Sequence, residues 1–280
     1  MSAYTFAIAA VILTAMRQVI LRAALRDGQD EWPILILYHI GAPILLISIN
    51  GVPVVESASL TTIVLLVFSC AAWVLYSVCD LKSHAYLDVA AGAILSTLNF
   101  VLIVVGGVII FDEHITVPGA LGAALIVASA LRATRAPTNF NFSAGVRYKL
   151  VGITVLAANM LFTKYLTTQI DSMFVAIMGF YIPAVLYVLL KPEKIREIPS
   201  AVRGSRGLVL LLPFVSAMNY YSLVRALELG NVSTTYSILQ TSVVFVFLFG
   251  ATMLGERDNL MRRGVSCALC AVGAFIVCQY

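Results

Sequence analysis

Charge is what this chain has least of. Asp, Glu, Lys and Arg make up 11% of its 280 residues, against 61% from the apolar set, where a soluble domain carries roughly 25% charged and 45–50% apolar residues. The apolar excess, with a mean hydropathy of +0.97, has to face a bilayer, which excludes most soluble enzymes. Basic clusters interleaved with aromatics are also missing, which sets nucleic acid aside as a partner. The five cysteines (Cys70, Cys79, Cys267, Cys270, Cys278) all lie in or beside apolar stretches, where a thiol behaves as a small hydrophobe. Cys267-x-x-Cys270 has the two-thiol spacing of a zinc or redox site, but neither a second pair nor a nearby His completes a ligand set. No metal and no cofactor is therefore expected. A G-x4-G-K-[ST] loop is lacking, so ATP is not the expected energy source. H-E-x-x-H, paired intramembrane aspartates and a nucleophile-and-base constellation are lacking too, which weighs against a membrane-embedded enzyme.

What the sequence does have is a succession of long apolar runs. A span needs about 20 apolar residues, and runs bounded by Gly, Pro and charge fall at 3–25, 33–54, 60–80, 88–111, 115–133, 148–168, 172–190, 207–226, 232–254 and 261–280. The expectation is an all-α integral membrane protein of ten transmembrane helices, multi-pass in the cell (inner) membrane, monomeric or homodimeric. The first run has no basic residue before it and carries Arg17 and Arg22 late, so it reads as a retained span and not a signal peptide. Basic residues near short loops stay cytoplasmic. Arg22, Arg26, Lys82, Arg132, Arg135, Arg147, Lys149, Lys191, Lys194, Arg196, Arg203, Arg206, Arg257, Arg262 and Arg263 all fall on one side, fifteen of the 18 Lys and Arg. Lys164 and Arg225 fall on the other. That bias puts both termini outside.

The two halves of the chain resemble each other. Arg17-x4-Arg22 parallels Asn159-x4-Lys164; Gln29-x-Glu31 with Pro43 parallels Gln169-x-Asp171 with Pro183; Tyr76-Ser77-x-x-Asp80 parallels Tyr221-Ser222-x-x-Arg225; Glu113 parallels Glu256. The reading is a five-helix repeat over 1–135, a connecting loop at 136–147 and a second repeat over 148–280, in one membrane domain. Five spans per repeat turn the second copy upside down. The charges agree, since the loop between the second and third runs has no Lys or Arg and its counterpart has five. Inverted repeats of this kind are a transporter signature, with the solute site between halves near the midplane.

Phe111-Asp-Glu113-His-Ile-Thr-Val-Pro-Gly-Ala-Leu-Gly122-Ala-Ala-Leu-Ile, with its partner Met253-Leu-Gly255-Glu256 followed by Gly264 and preceded by Ala226-Leu227, resembles the G-E … G-x-x-L-I ends of the drug/metabolite transporter superfamily. The resemblance covers essentially the whole chain, twice, and implies the EamA-type ten-helix branch, in which helices of both halves surround a central cavity while the fifth and tenth lie outside it. The chain departs from the pattern in placing Asp112 before the first Glu and in having Thr97 and Gln240 where many relatives have a proline.

Ionisable groups inside spans are costly and mark function. Arg17 is the clearest, with Thr14 and Gln18 near it at helical spacing; its fork suits a carboxylate or phosphate. Reaching the cytoplasmic headgroups is its alternative. Asp80 and Arg225 read as gating residues or as interfacial ones, and Pro43 and Pro183 as hinges, because proline frees backbone groups inside a span. Tyr38 and His39 precede the first of these prolines and Tyr181 the second. His39 is a proton carrier or, more simply, a hydrogen-bonded packing residue. Polar stripes add Trp73, Tyr76 and Ser77; Asn99; Asn159 and Thr163; Tyr221 and Ser222; Tyr236 and Gln240. Each alone reads equally as helix–helix contact; six helices together favour a hydrated cavity. Gly119/Ala123 and Ala120/Ala124/Ala128 give the fifth span small-residue packing faces, and Glu113 and Glu256 suit helix starts. The expected activity is secondary transport of a small polar metabolite, an amino acid or another solute with an anionic group, by alternating access. A flippase for a lipid-linked head group is the alternative, and a membrane-embedded enzyme a more remote one.

Overall fold

The computed structural model describes residues 2–25, 30–51, 53, 59–84, 89–133, 144–205, 207–253 and 260–279. Regular structure among them is entirely helical. The helices are Ala3–Leu25 (α1), Glu31–Asn50 (α2), Leu60–His84 (α3), Val89–Phe111 (α4), Val117–Ala133 (α5), Ala144–Leu166 (α6), Ser172–Leu190 (α7), Ile198–Gly204 (α8), Leu212–Leu229 (α9), Val232–Gln240 (α10), Ser242–Met253 (α11) and Leu260–Gln279 (α12). Turns of 3₁₀ helix at Pro192–Glu197 and Leu208–Leu211 lead into α8 and α9. Among the described residues, six helices are long and apolar enough to cross a membrane, and four shorter apolar stretches accompany them, at Leu98–Phe111, Val117–Ser129, Val232–Val246 and Gly264–Val277. The chain is a multi-pass membrane protein.

The ninth apolar run is two helices and not one. Thr241 turns its Oγ1 back onto the Ile238 carbonyl at 2.6 Å, and its own N–H reaches the same carbonyl at 2.9 Å. Side-chain back-bonding of this kind bends helices, so α10 gives way to α11 with neither Pro nor Gly at the joint.

Two compact units divide the chain, Met1–Val74 with Phe162–Leu229 and Leu75–Leu161 with Gly230–Tyr280. In the first, α1 packs along α9, and α2 packs on α7 and α9. Ile34, Tyr38, Ala42 and Leu46 recur every four residues on α2 and form one ridge of a buried cluster with Met173, Ala176, Ile177 and Phe180 of α7 and Leu212 and Ala217 of α9. Both α2 and α7 start on an aspartate: Asp30 accepts the Trp32 N–H at 2.9 Å, and Asp171 accepts those of Met173 and Phe174 at 2.8 and 3.1 Å. Such caps supply acceptors to N–H groups that the helix itself leaves unsatisfied. Pro43 and Pro183 lie within α2 and α7, and neither ends its helix. Lys194 bonds Asp30 at 2.6 Å and Glu197 at 2.8 Å. Burial alone would raise the Asp30 carboxyl, but the hydrogen bonds from Lys194 and the Trp32 N–H outweigh it and hold the group below its usual range. The two carboxylates hold Lys194 above its usual range.

In the second unit α5 packs along α12, and α4 on α10. A Cβ on Gly122 would stand 2.7 Å from the Gly273 carbonyl oxygen, and one on Gly273 would stand 2.7 Å from that of Gly122. The backbones therefore touch at two glycines, as small residues allow in lipid. The contact face runs through Gly122, Ile126 and Ser129, while Ala120, Ala124 and Ala128 are exposed. Of the two small-residue faces expected, Gly119/Ala123 adjoins this contact, with Gly119 buried, and Ala120/Ala124/Ala128 does not.

Glu113 caps a helix, but not the one that follows it in sequence. Asp112, at φ 51°, turns the chain in the left-handed region after α4, and the buried Glu113 accepts the N–H groups of Val232 at 2.5 Å and Ser233 at 3.0 Å. Asn231, the formal cap of α10, makes no side-chain bond to it. The carboxylate thus satisfies two orphan donors and meets the positive end of the α10 dipole. Glu256 lies outside the described residues.

Glu113→Ala leaves two buried N–H groups without an acceptor and is expected to cost about 1–3 kcal/mol; Glu113→Gln, which keeps one acceptor, costs less. Thermal unfolding in detergent, with hydrogen exchange at Val232 and Ser233, measures both. The Asp30–Lys194 pair gives a pH dependence. A carboxylate held low contributes stability above its unfolded pKa of about 3.9 and loses it as pH falls through the lower folded value. Asp30→Asn, which can still cap α2, should melt earlier than the wild type at pH 7 and level with it at pH 2.

Candidate functional site

The polar residues of the first unit gather at Arg17. Ala10, Thr14 and Arg17 follow one another at i, i+4 and i+7 along α1, so they share a face. Opposite, α9 presents Ser216, Asn219 and Tyr220, while α2 brings Tyr38, α3 brings Trp73, and α7 brings Gly179 and Phe180. Arg17, Tyr38, Trp73, Gly179, Phe180, Ser216, Asn219 and Tyr220 line a cleft with about 320 Å³ of empty space. Arg17 supplies its one formal charge.

Each polar group in the lining has a specific role. Arg17 Nη2 donates to the Tyr38 hydroxyl at 3.0 Å, and the guanidinium carbon lies 5.3 Å from the Tyr38 ring centroid. Tyrosine thus offers the cation both an acceptor and a π face, which lets it sit deep in an apolar helix. The Asn219 amide donates to the Ala10 carbonyl at 2.8 Å and to Thr14 Oγ1 at 2.7 Å. Ser216 is 2% exposed, and its hydroxyl has no partner among the described residues. The Tyr220 ring stands edge-on to Phe180 at 5.4 Å and tilted to Trp73 at 6.3 Å, and its hydroxyl bonds with Thr163. A Cβ on Gly179 would meet the Tyr220 ring at 2.5 Å; only glycine admits the ring there. Pro183 has no N–H to offer the Gly179 carbonyl four residues earlier, so that oxygen lacks its usual helical donor.

Arg17, Tyr38 and Trp73 are the sequence candidates that line this cleft. Thr14 stands behind Asn219, Thr163 behind Tyr220, and His39 behind Tyr38 and Trp73. Gln18 is exposed; it follows Arg17 directly, about 100° around the helix, and so leaves the cleft face. Tyr181 is 55% exposed on the outer side of α7. Tyr221 stands edge-on to Phe6 at 6.4 Å, and Ser222 is buried. Arg225 is paired with Glu228 one turn on, donates to Ser172 Oγ at 3.3 Å, and lies 5.7 Å from the Phe6 ring centroid. Its neutralising partner escaped the sequence reading, although the i, i+3 spacing marks it.

Tyr76, Ser77, Asn99, Asn159, Tyr236 and Gln240 belong to the second unit. Asn99, Asn159 and Tyr236 are buried there. The Gln240 carbonyl accepts from Cys270 Sγ at 3.6 Å. The side chain of Asp80 lies outside the described residues. A second cleft in this unit, with about 410 Å³ of empty space, is lined by Glu113, His114, Asn231, Ser233 and Ser237 among others, and its carboxylate is committed to capping α10.

Ser216, Asn219, Tyr220, Gly179 and Phe180 were missed. Asn219 carries a signal, being an amide within an apolar run, next to the Tyr221 and Ser222 that the sequence analysis singles out. The arrangement can hold a small anion on a planar, multi-donor cation with aromatic surfaces around it.

Over residues 144–279 the chain matches the EamA-like transporter family. The "Uncharacterized transporter in cobO 3'region" of Sinorhizobium sp is 27% identical to it over 135 residues, which cover 48% of this chain and 95% of that protein. A protein of known crystal structure shares 15% identity and superposes with a TM-score of 0.82, covering 99% of this chain and 98% of the other. That likeness shows a common fold.

Proposed function

We propose that the chain is a membrane transporter, as its match to the EamA-like transporter family over residues 144–279 supports, and that it moves a small polar solute bearing an anionic group, an amino acid or organic acid, by alternating access. The observation that carries this reading is the Arg17 guanidinium in the wall of the first unit's cleft. Ionisable groups at such depth mark solute pathways, and the guanidinium fork matches a carboxylate with two parallel hydrogen bonds. Tyr38 holds the fork in place through a neutral hydroxyl, which a charged oxygen would outbid, since charge-assisted hydrogen bonds are roughly twice as strong. Asn219 and the Ser216 hydroxyl add polar contacts, and the four aromatic rings complement the solute's apolar body.

The inverted repeat gives this site its mechanism. Its support comes from helices that match in kind: α2 and α7 both begin on Asp caps, both contain a proline and pack against each other, and α5 packs on α12 and α4 on α10. The Sinorhizobium relative, whose whole length corresponds to about half of this chain, is in keeping with a duplicated unit. Rocking of one repeat against the other would use α2 and α7, where Pro43 and Pro183 remove the donors to the His39 and Gly179 carbonyls. Such sites bend at low cost. Arg225, released from Glu228, and Asp80 are the gating candidates. The bilayer and the solute are the partners this cycle requires, and both termini lie outside by the basic-residue bias.

Protein reconstituted in liposomes is expected to take up or exchange a labelled amino or organic acid, and Arg17→Ala to lower that flux at least about tenfold, the equivalent of about 1.4 kcal/mol. Wild-type flux in Arg17→Ala would remove the anion site. A reporter fused after Tyr280 should be active only outside the cytoplasm; cytoplasmic activity would reverse the sidedness.

A further inference from the structure

His39 lies fully buried on α2, behind the wall of the Arg17 cleft, and its two ring nitrogens have partners of opposite kind. Nδ1 is 2.8 Å from the Leu35 carbonyl oxygen, which can only accept, so the ring proton sits on Nδ1. Nε2 is 3.2 Å from Trp73 Nε1, an indole N–H that can only donate, so Nε2 presents its lone pair. One neutral tautomer meets both demands. The imidazolium would set two donors against each other at Trp73. Aromatic rings enclose the imidazole, with Tyr38 at 4.2 Å, Tyr187 at 4.9 Å and Phe180 at 5.6 Å between centroids. The groups facing it are the hydroxyl-bearing rings of Tyr38 on its own helix and Tyr187 on α7, and the indole of α3. The nearest fixed charge is Arg17 of α1, bonded to Tyr38 next door. A proton on His39 would add a second cation to this apolar cluster.

We propose that His39 is a positioning residue, whose neutral imidazole holds the Trp73 indole in place as a wall of the Arg17 cleft and takes no proton during the transport cycle. Trp73 lines the cleft and gives its N–H to His39, so the hydrogen bond helps to fix which face of the indole the solute meets. Solute binding at this cleft is then insensitive to pH across the range near 6.5 where a free histidine titrates, and a coupling proton, where one moves, travels elsewhere. The consequence for transport rests on the cleft being the solute site. The hydrogen bond and its test do not.

The chain has two tryptophans, Trp32 and Trp73, so Trp32→Phe leaves Trp73 as the sole indole reporter in the full-length protein. Its fluorescence, measured in detergent without solute, should be flat from pH 8 to pH 5. Adding His39→Gln, which keeps an acceptor for the indole, should leave the emission maximum in place. Adding His39→Phe, which keeps a ring but offers no acceptor, should move it to the blue. Quenching with a midpoint between pH 5 and pH 8 that His39→Gln abolishes would show that His39 takes a proton and overturn the proposal. An unmoved emission maximum in the His39→Phe variant would show that the indole is not held by His39 and overturn it as well. If that variant does not fold, the pH series on Trp32→Phe alone decides. Since no solute is present, the outcome is independent of the Arg17→Ala flux assay.

Discussion

A bilayer interior offers a polar group no water to bond with, and much of the packing of the described helices follows from how such groups find partners within the protein. The Asn219 amide needs two acceptors and finds them on α1, at Ala10 and Thr14, which ties α1 to α9. Lys164 gives its ammonium to the Leu227 carbonyl, one of the oxygens that the end of α9 leaves without an intrahelical donor. Arg225 bonds Glu228 and Ser172 through Nη1. These contacts do more than offset a cost. Apolar side chains gain little by leaving lipid for one another, so the polar pairs and close glycine contacts supply much of the specificity that a soluble core would obtain from burial.

The same absence of water explains which features could be read from the sequence. Run lengths set by bilayer thickness located helices to within a few residues, because an apolar stretch of that size has few other uses. Arg17 stood out because its surroundings made it expensive. The facing of each helix was harder to read. In water the buried side of a helix is the apolar side; in lipid both sides are apolar, and the periodicity that distinguishes them fades. Ala120, Ala124 and Ala128 therefore looked as suitable for packing as Gly122, Ile126 and Ser129, and Tyr221 and Ser222 as suitable for the cleft as Ser216, Asn219 and Tyr220. The joint at Thr241 was illegible for another reason: a threonine that bonds its own backbone has the same letter as one that does not.

The Arg17 cleft shows how constraints on separate helices converge on one place. Gly179 gives up its side chain to the Tyr220 ring; Tyr220 carries that ring between Phe180 and Trp73; Trp73 is bonded to His39; and Tyr38, adjoining His39, receives the guanidinium. Six side chains and one missing side chain form a continuous set of contacts from α9 to α1. A substitution at any of them alters the shape that the others present to the cleft.

Glu113 has a consequence for biogenesis. The carboxylate is made 119 residues before the first N–H group that it satisfies. At ~5–20 residues per second of synthesis, it spends roughly 6–24 s without α10. During that interval the turn after α4 carries an acid with no helix end to cap, and water at the membrane surface is the natural place for it. The arrival of α10 then draws the carboxylate into the fold, so the closing of this part of the protein waits on the second half of the chain.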